Sequence, residues 1–456
     1  MKVYIDASEH VRAWKHVERY QNTTLRYSPG EDFPAFLENE IGGLEIIRLF
    51  ITLDEVWDYR TDTYHWDYLI GTNLYEGDKN HYDYDWPLTV PSVTGTREMA
   101  YLTSHASCAK KVLLNIRRYE REVFDGVITL DKYAEVVSNV IEHYKKIIPN
   151  IVYIEVCNEV ELPQFGNLTI PQYYQLYKAA EKAITELNQK HSYDLPLQTG
   201  GFGMACGMWH ISIWREFLVQ LANDPDRKID FYSFHEYHGN PYRVMELYMR
   251  HEELIHELNL PDLPIFMTEY GMRYGLGDAG RPNTLQNASG EIPGMIIGSH
   301  CSNMAMFPWC TFHNPNQQPG RTMYIQLADG RYTATPSGHV MKFFSMLGNQ
   351  ECESSYYNEN RSAATVDDSN TLSLLISNPQ SDKECYHIRI QGLKKTRYRI
   401  CFYLVDQNHN NVLANPEQNE LQITRTAISD LDGTYEEDLW MQPTSVCFYQ
   451  FIPESL

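Results

Sequence analysis

From Leu44 to Leu347 the chain alternates short β-forming runs with helical stretches, and this alternation limits its fold more than any other feature. LEIIRLFIT (Leu44–Thr52), KVLLNI (Lys111–Ile116), IVYIEVCNE (Ile151–Glu159), Leu195–Gly201, IDFYSFHEY (Ile229–Tyr237), Leu263–Gly271 and Met304–His313 read as strands. Arg97–Ala109, Leu130–Ile148, Ile170–Lys190, His210–Ala222, Pro241–Leu258 and Gly290–Ser302 read as helices between them, with Phe33–Glu40 before the series and Ser337–Leu347 after it. Strands hydrophobic on both faces and joined by helices specify a parallel sheet. About eight such units favour closure into an α/β fold of the (β/α)8 TIM-barrel type. No Gly-rich phosphate loop or dinucleotide fingerprint follows the early strands.

Beyond Asn349 the pattern changes. Thr371–Asn378, Glu384–Ile390, Arg397–Leu404, Glu420–Arg425 and Val446–Ile452 are short β-runs separated by Asn, Asp, Gly and Pro, which predicts a C-terminal antiparallel β-sandwich. The 456 residues therefore divide into a barrel over residues 10–348 and a sandwich over 349–456. Val3–Asp6 is β-like, and Ala13–Tyr20 reads equally as strand or helical turn.

Composition narrows the partners. A net charge of −22, from 38 basic and 60 acidic residues, argues against nucleic acid and against an anionic membrane. No apolar run approaches the ~20 residues of a membrane span. MKVYIDASEH lacks a signal-peptide core, which implies a cytoplasmic protein, or a secreted or periplasmic one whose leader was trimmed. The nine cysteines show no CxxC or Cys/His metal spacing, and Cys157, Cys401 and Cys447 read as buried free thiols, so no metal is expected. Aromatic residues reach 13%, including 33 tyrosines. They crowd into Trp57–Pro91, which holds Trp57, Tyr59, Tyr64, Trp66, Tyr68, Tyr75, Tyr82, Tyr84 and Trp86. Tyr64–Ile70 reads as helical; the rest is a long loop that roofs a binding cleft or serves as packing.

The polar strand ends carry the chemistry. Ile151–Glu159 delivers Asn158 and Glu159 into a turn-rich loop, and LPIFMTEYG (Leu263–Gly271) delivers Glu269. Barrel enzymes mount catalytic residues at C-terminal strand ends. Two carboxyl groups so placed are the equipment for glycoside hydrolysis, one protonated to assist the leaving oxygen and one ionised. A single Glu at a loop start is usually structural; two closing β-runs are harder to dismiss. His235 and Tyr237 share one face of their strand and Glu236 takes the other. A Tyr there can hold a carboxylate ionised, and a His can orient one, or both can be satisfied core residues. Trp309 can floor a sugar ring or fill core. Arg48, inside a buried strand, needs a partner: it is a site residue or half of an internal ion pair.

These segments resemble glycoside hydrolase family 39, among the (β/α)8 retaining glycosidases that include β-xylosidases and α-L-iduronidase. VYIEVCNEVEL (Val152–Leu162) is similar to that family's acid/base segment, LPIFMTEYG to its nucleophile segment and IDFYSFHEYH to the segment before it. IGGLEIIRLF resembles the second-strand segment, and TPSGHVMKFFSMLG (Thr335–Gly348) the helix that closes the barrel. The resemblance implies that Glu159 is the acid/base and Glu269 the nucleophile. It implies that Asn158 binds the hydroxyl beside the anomeric carbon. His235 and Tyr237 would support the −1 sugar and the nucleophile, and Arg48 would brace the nucleophile. It also puts Val3–Ala7 in the sandwich, so that strand 1–9 joins that domain, and the first barrel strand near Trp14–Tyr20.

Three features depart from the family pattern. Phe50 stands where Arg-x-His is usual, Val160 follows the acid/base Glu in place of Pro, and Gly71–Val93 has no counterpart. The expected activity is retaining O-glycoside hydrolysis, β-xylosidase-like or endo-acting on a polysaccharide, with an oligosaccharide or glycoside as substrate and no cofactor. The alternative is a non-catalytic carbohydrate-binding protein on the same barrel. Homo-oligomerisation stays open.

Overall fold

Long β-branched and aromatic runs, buried on both faces, build the central sheet. The computed structural model of the protein describes residues 1–23, 28–68, 97–205, 207–272, 284–312, 320–354 and 359–454. Apart from an N-terminal strand β1 (Lys2–Ala13), the first strands are β2 (Tyr20–Asn22), β3 (Leu44–Thr52), β4 (Ala109–Arg117) and β5 (Ile151–Val156). They are followed by β6 (Gln198–Met204), β7 (Phe231–His238), β8 (Ile265–Met272) and β9 (Met304–Pro308). Among the described residues β2 to β9 pair in chain order, every neighbour parallel. The sheet closes where Thr311 N donates to Asn22 O at 2.8 Å and Asn22 Nδ2 donates to Thr268 O at 2.6 Å. The result is a TIM barrel.

Helices alternate with these strands: α1 (Phe33–Ile41), α2 (Glu98–Ala106), α3 (Leu130–Ile147), α4 (Ile170–His191), α5 (Ile211–Asn223), α6 (Tyr242–Glu257), α7 (Thr284–His300) and α8 (Pro336–Ser345). The α3 helix starts where the Thr129 side chain accepts from Lys132 N, and it buries Tyr133, Val136, Val137, Val140, Ile141 and Tyr144 on one stripe. The α4 helix opens with a Thr169–Gln172 capping box and a proline in the first turn. The α7 helix begins six residues before the expected Gly290. Its residues 287–299 are all buried because it lies between barrel and second sheet, where Ser377 Oγ donates to Ser289 O. A helix covered all round shows no amphipathic stripe.

Inside the barrel, side chains alternate by twos along each strand and stack in layers. Ile46, Leu113, Tyr153, Phe231, Phe266 and Phe307 plug one end with apolar side chains. Two residues further along, Arg48, Asn115, Glu155, Ser233 and Thr268 form a buried polar layer. A register shift between Met267 and Glu269 puts Glu269, rather than Thr268, opposite His235. Such a bulge re-aims a side chain without ending the strand.

The second sheet contains β1 with β10 (Gln350–Ser354), β11 (Ser362–Val366), β12 (Leu372–Asn378), β13 (Glu384–Gln391), β14 (Thr396–Val405), β15 (Arg425–Leu431), β16 (Tyr435–Met441) and β17 (Ser445–Pro453). Hydrogen bonding joins them in the order β15-β14-β17-β12-β11-β10-β1-β13-β16. The sheet is largely antiparallel; β1 runs parallel to β13. Its ends curl together, with Glu437 of β16 accepting from Arg425 of β15 at 2.9 Å and from Tyr449 of β17 at 3.0 Å. The enclosed core holds Val3, Ile5, Leu374, Ile388, Ile400 and Phe451. The other face packs on the barrel, with Phe343 of α8 stacked on Phe448 at 5.0 Å.

Several sequence expectations need correction. Glu420–Arg425 is not a strand up to Thr424; the strand there is Arg425–Leu431, paired with β14, and Tyr435–Met441 follows it through Gly433 at φ 87°. These two strands take opposite edges of the sheet; the first is mostly exposed and the second alternates exposed with half-buried residues, which hid them. Of the two readings of Ala13–Tyr20 the helical turn is found, as a 3-10 turn at Val17–Arg19, and the first barrel strand is Tyr20–Asn22 rather than Trp14–Tyr20. Residues 64–68 are not helical. Trp66 stacks on His143 at 3.9 Å and Tyr64 OH accepts from Asn139, so this part of the aromatic stretch packs on α3 at the barrel's side. Tyr75, Tyr82, Tyr84 and Trp86 lie outside the described residues. Among the described residues all eight cysteines are free.

Candidate active site

Arg48 organises the polar layer. The guanidinium is fully buried, and its Nε donates to Glu155 Oε2 at 2.8 Å, Nη1 to Glu269 Oε1 at 2.8 Å and Nη2 to Asn158 Oδ1 at 2.7 Å. Glu155 also accepts from Asn115 Nδ2 at 2.8 Å and from Thr268 Oγ1 at 2.7 Å. One cation thus faces two carboxylates, and each oxygen has a donor, the condition for keeping charge in a barrel interior. Burial pushes the Glu155 carboxyl upward, but Arg48, His235 and the hydroxyl donors outweigh it and its pKa lies below the ordinary value. Arg48 is thus half of an internal ion pair, and the same guanidinium contacts Glu269.

The Asn158–Glu159 pair is set by a sharp turn after β5. Cys157 at φ 67° and Glu159 at φ 47° adopt left-handed backbone, unfavourable for residues with a Cβ. Neighbouring strands hold the turn: Cys157 N donates to Ile116 O at 2.8 Å and Glu159 N to Gly203 O at 3.1 Å, while Asn115 Nδ2 donates to Cys157 O at 2.7 Å. Gly203 itself sits at φ 56°, where a Cβ would come within 3.0 Å of His235 Nε2 and 3.2 Å of Glu155 Oε1. Only glycine leaves room there.

Glu159 and Glu269 meet across His235. His235 Nδ1 and Glu159 Oε1 share a hydrogen bond of 2.8 Å, and the same nitrogen lies 3.8 Å from Glu269 Oε2. Tyr237 OH donates to Glu269 Oε2 at 2.7 Å. One carboxylate oxygen of each Glu and a ring nitrogen of His235 all fall within 4.8 Å of one another. Burial raises the Glu159 pKa, the Glu269 charge adds to it, and the His235 hydrogen bond offsets it only in part. Burial also pushes Glu269 upward, but His235, Arg48 and Tyr237 overcome it and lower its pKa. The two carboxyls are driven apart in acidity, the condition under which one can carry a proton while the other stays ionised. His235 is raised: burial opposes its charge, and the facing carboxylates more than compensate.

The remaining candidates occupy the same mouth. Phe50, which takes the place of an expected histidine, lies against the Arg48 guanidinium at 4.4 Å and that of Arg117 at 5.1 Å. The Trp309 ring meets Phe50 edge-on at 6.0 Å, so Trp309 joins the set through Phe50. Glu236 points away from the interior, where its Oε2 accepts from Met208 N at 3.2 Å.

Sequence reasoning passed over Glu155, Asn115, Ser233 and Thr268. The signal for Glu155 was present: a carboxylate in the middle of an otherwise apolar strand, beside an already noticed buried arginine. Besides Glu159–His235–Glu269, one other described cluster, Cys385, His387 and Asp438, brings three potential metal ligands within 4.8 Å. It lies on an open face of the second sheet, with His387 Nδ1 already paired to Asp438 at 2.7 Å.

Known proteins share this fold. The solved structure of a monomeric β-xylosidase from Caulobacter crescentus CB15 superposes with a TM-score of 0.68 at 15% identity, covering 100% of both chains. A glucosidase from Croceicoccus marinus gives 0.67 at 14% identity, covering 100% of this chain and 99% of that one. A bacterial orthologue of human α-L-iduronidase gives 0.63 at 15% identity, covering 99% and 84%. At such identities the likeness speaks for the fold. A family model for glycosyl hydrolases family 39 matches residues 122–385, more than half of the chain and including both Glu159 and Glu269. The chain belongs to glycosyl hydrolases family 39 and is a glycoside hydrolase.

Proposed function

We propose that the protein is a retaining O-glycoside hydrolase, β-xylosidase-like, working by double displacement. The observation that carries this reading is the closeness of Glu159 and Glu269, oxygen to oxygen within 4.8 Å, with their acidities pushed in opposite directions. Retaining enzymes hold their carboxyls ~5–5.5 Å apart, whereas inverting ones leave ~6.5–9.5 Å for a water.

In the first step Glu159 gives its proton to the glycosidic oxygen as a Glu269 oxygen bonds to the anomeric carbon. The bond to the leaving group breaks and its electron pair stays on the departing oxygen. In the second, Glu159 takes a proton from water, whose oxygen bonds to the anomeric carbon, and the ester bond to Glu269 breaks. Arg48 and Tyr237 stabilise Glu269 as it is regenerated, each occupying one of its oxygens. The Asn158 Oδ1 is committed to Arg48, which turns its Nδ2 donor to the hydroxyl beside the anomeric carbon. His235 orients Glu159, and Trp309 walls the sugar ring. No step calls on a cofactor.

We propose further that residues 10–348 act as the catalytic domain and residues 349–456, with the N-terminal strand, as an accessory β domain. The contact of Trp14 N with Asn349 O, 2.8 Å, supports a boundary where the chain leaves and re-enters the second sheet, with the N-terminal strand reaching Ala13 before the barrel begins.

Two variants test the mechanism. Glu269→Ala should abolish turnover of aryl β-xylosides and related aryl glycosides, and azide should restore it with inverted product. Glu159→Ala should slow substrates with poor leaving groups far more than those with good ones. Binding of oligosaccharide by a wild-type protein that turns over no glycoside would instead support a carbohydrate-binding protein.

A further inference from the structure

We infer that Arg321 is a positioning residue for Glu269. Its guanidinium lies over the Tyr237 ring, orients the phenol and strengthens the hydrogen bond that the phenol donates to Glu269. This rests on the assignment of Glu269 as nucleophile. The Arg321 guanidinium carbon stands 4.8 Å from the centre of the Tyr237 ring, and Tyr237 OH reaches Glu269 Oε2 at 2.7 Å. Two contacts thus connect the cation to the carboxylate.

Arg321 is held from two sides. It lies just before the short strand Tyr324–Gln326. Its carbonyl accepts from Cys310 N at 3.2 Å, and Cys310 O accepts from Met323 N at 3.1 Å, so the segment pairs with the chain that leaves β9. Arg321 Nη2 donates to Met272 O, at the end of β8, at 2.7 Å. Its Nε is buried with no hydrogen-bond partner among the described residues. The negative face of an aromatic ring attracts such a cation, and more strongly away from water.

Glu291 of α7 approaches the same place. A Cβ added at Gly271 would lie 3.3 Å from both Glu291 Oε1 and Tyr237 Cε1. Burial pushes the Glu291 carboxyl up to about 8, against the pull of Asn287 and Arg321. Protonated near neutral pH, it leaves the Arg321 charge to act on Tyr237. Burial and the Glu269 charge push the Tyr237 phenol up, and Arg321 pulls it down. A phenol that holds its proton less tightly is a stronger donor, and a stronger bond favours the ionised carboxylate. Glu269 is also faced by Arg48 of β3, His235 of β7 and Glu159, and Arg321 by Cys310; the variants below leave these groups in place.

A double-mutant cycle with Tyr237→Phe tests the link. The substrate is the aryl glycoside that wild-type protein turns over fastest. Arg321→Gln keeps a donor for Met272 O and removes the charge. It should lower kcat/KM about five- to tenfold and move the acidic limb of the pH profile upward. Arg321→Lys keeps the charge and should recover part of the loss. In the Tyr237→Phe background, which retains the ring and lacks the hydroxyl, Arg321→Gln should cost less than about twofold. Thermal unfolding checks each variant, and Arg321→Met serves the same comparison if the Gln variant does not fold. Equal losses in both backgrounds, a loss with the acidic limb unmoved, or no loss at all would overturn the inference; the first two would mean that Arg321 only ties the segment to Met272. Azide rescue of Glu269→Ala tests the nucleophile assignment by itself, so the two readings fail in different variants.

Discussion

Arg48 Nη1 donates to Glu269 Oε1 at 2.8 Å from a strand on the far side of the barrel, while its Nε and Nη2 hold Glu155 and Asn158. Glu269, the residue preceding Glu159, and a third, buried carboxylate-bearing residue therefore share one guanidinium. Stability and catalysis are coupled through it.

Removing that cation leaves two buried carboxylates with no guanidinium between them. Arg48→Met should cost about 3–5 kcal/mol of unfolding free energy by denaturant titration, the range for one half of a broken buried ion pair. Arg48→Lys should recover little, because an ammonium cannot present the planar fork that reaches three acceptors.

Tyr237→Phe removes one donor from Glu269 and nothing from the core. Losing a hydrogen bond to a charged group should lower kcat/KM by about 10- to 100-fold. Without that donor the Glu269 pKa rises, so the acidic limb of the pH profile should move to higher pH. Thermal unfolding checks that the fold survives.

The pH dependence of kcat/KM should be a bell. Activity rises as Glu269, lowered, loses its proton, and falls as Glu159, raised, loses its own. His235 lowers both acidities' pKa values, by charge on Glu269 and by hydrogen bond and charge on Glu159. His235→Asn should therefore shift both limbs upward. A shift of one limb alone would contradict the shared contact.

Glu155 has a folded-state pKa below its ordinary value, so the unfolded chain binds its proton more readily. The stability it contributes is complete above the unfolded pKa and is lost as pH falls from there through the lower folded value. Glu155→Gln should flatten that acid-side loss of stability in denaturant titrations across the carboxylate range.

The barrel was legible because most of its strands are buried, largely apolar runs, several leading into polar residues, and because α3 and α4 carry caps and stripes. The face shared by His235 and Tyr237 followed from strand periodicity alone. Strand periodicity did not predict how Glu269 reaches the same interior as Thr268. Periodicity puts them on opposite faces, and only the bulge after Met267 resolves it. The α7 boundary and the edge strands β15 and β16 were illegible for opposite reasons, one buried on all sides and the others only partly covered. Glu155 was missed because a charged residue inside a strand reads as an exception until its partners are in view.

The most direct test of double displacement is the anomeric configuration of the first sugar released, followed by proton NMR before mutarotation. Attack by Glu269 and then by water from the vacated face predicts a product with the same configuration as the substrate. A first product of opposite configuration would mean single displacement by water, and would contradict the assignment of Glu269 as nucleophile.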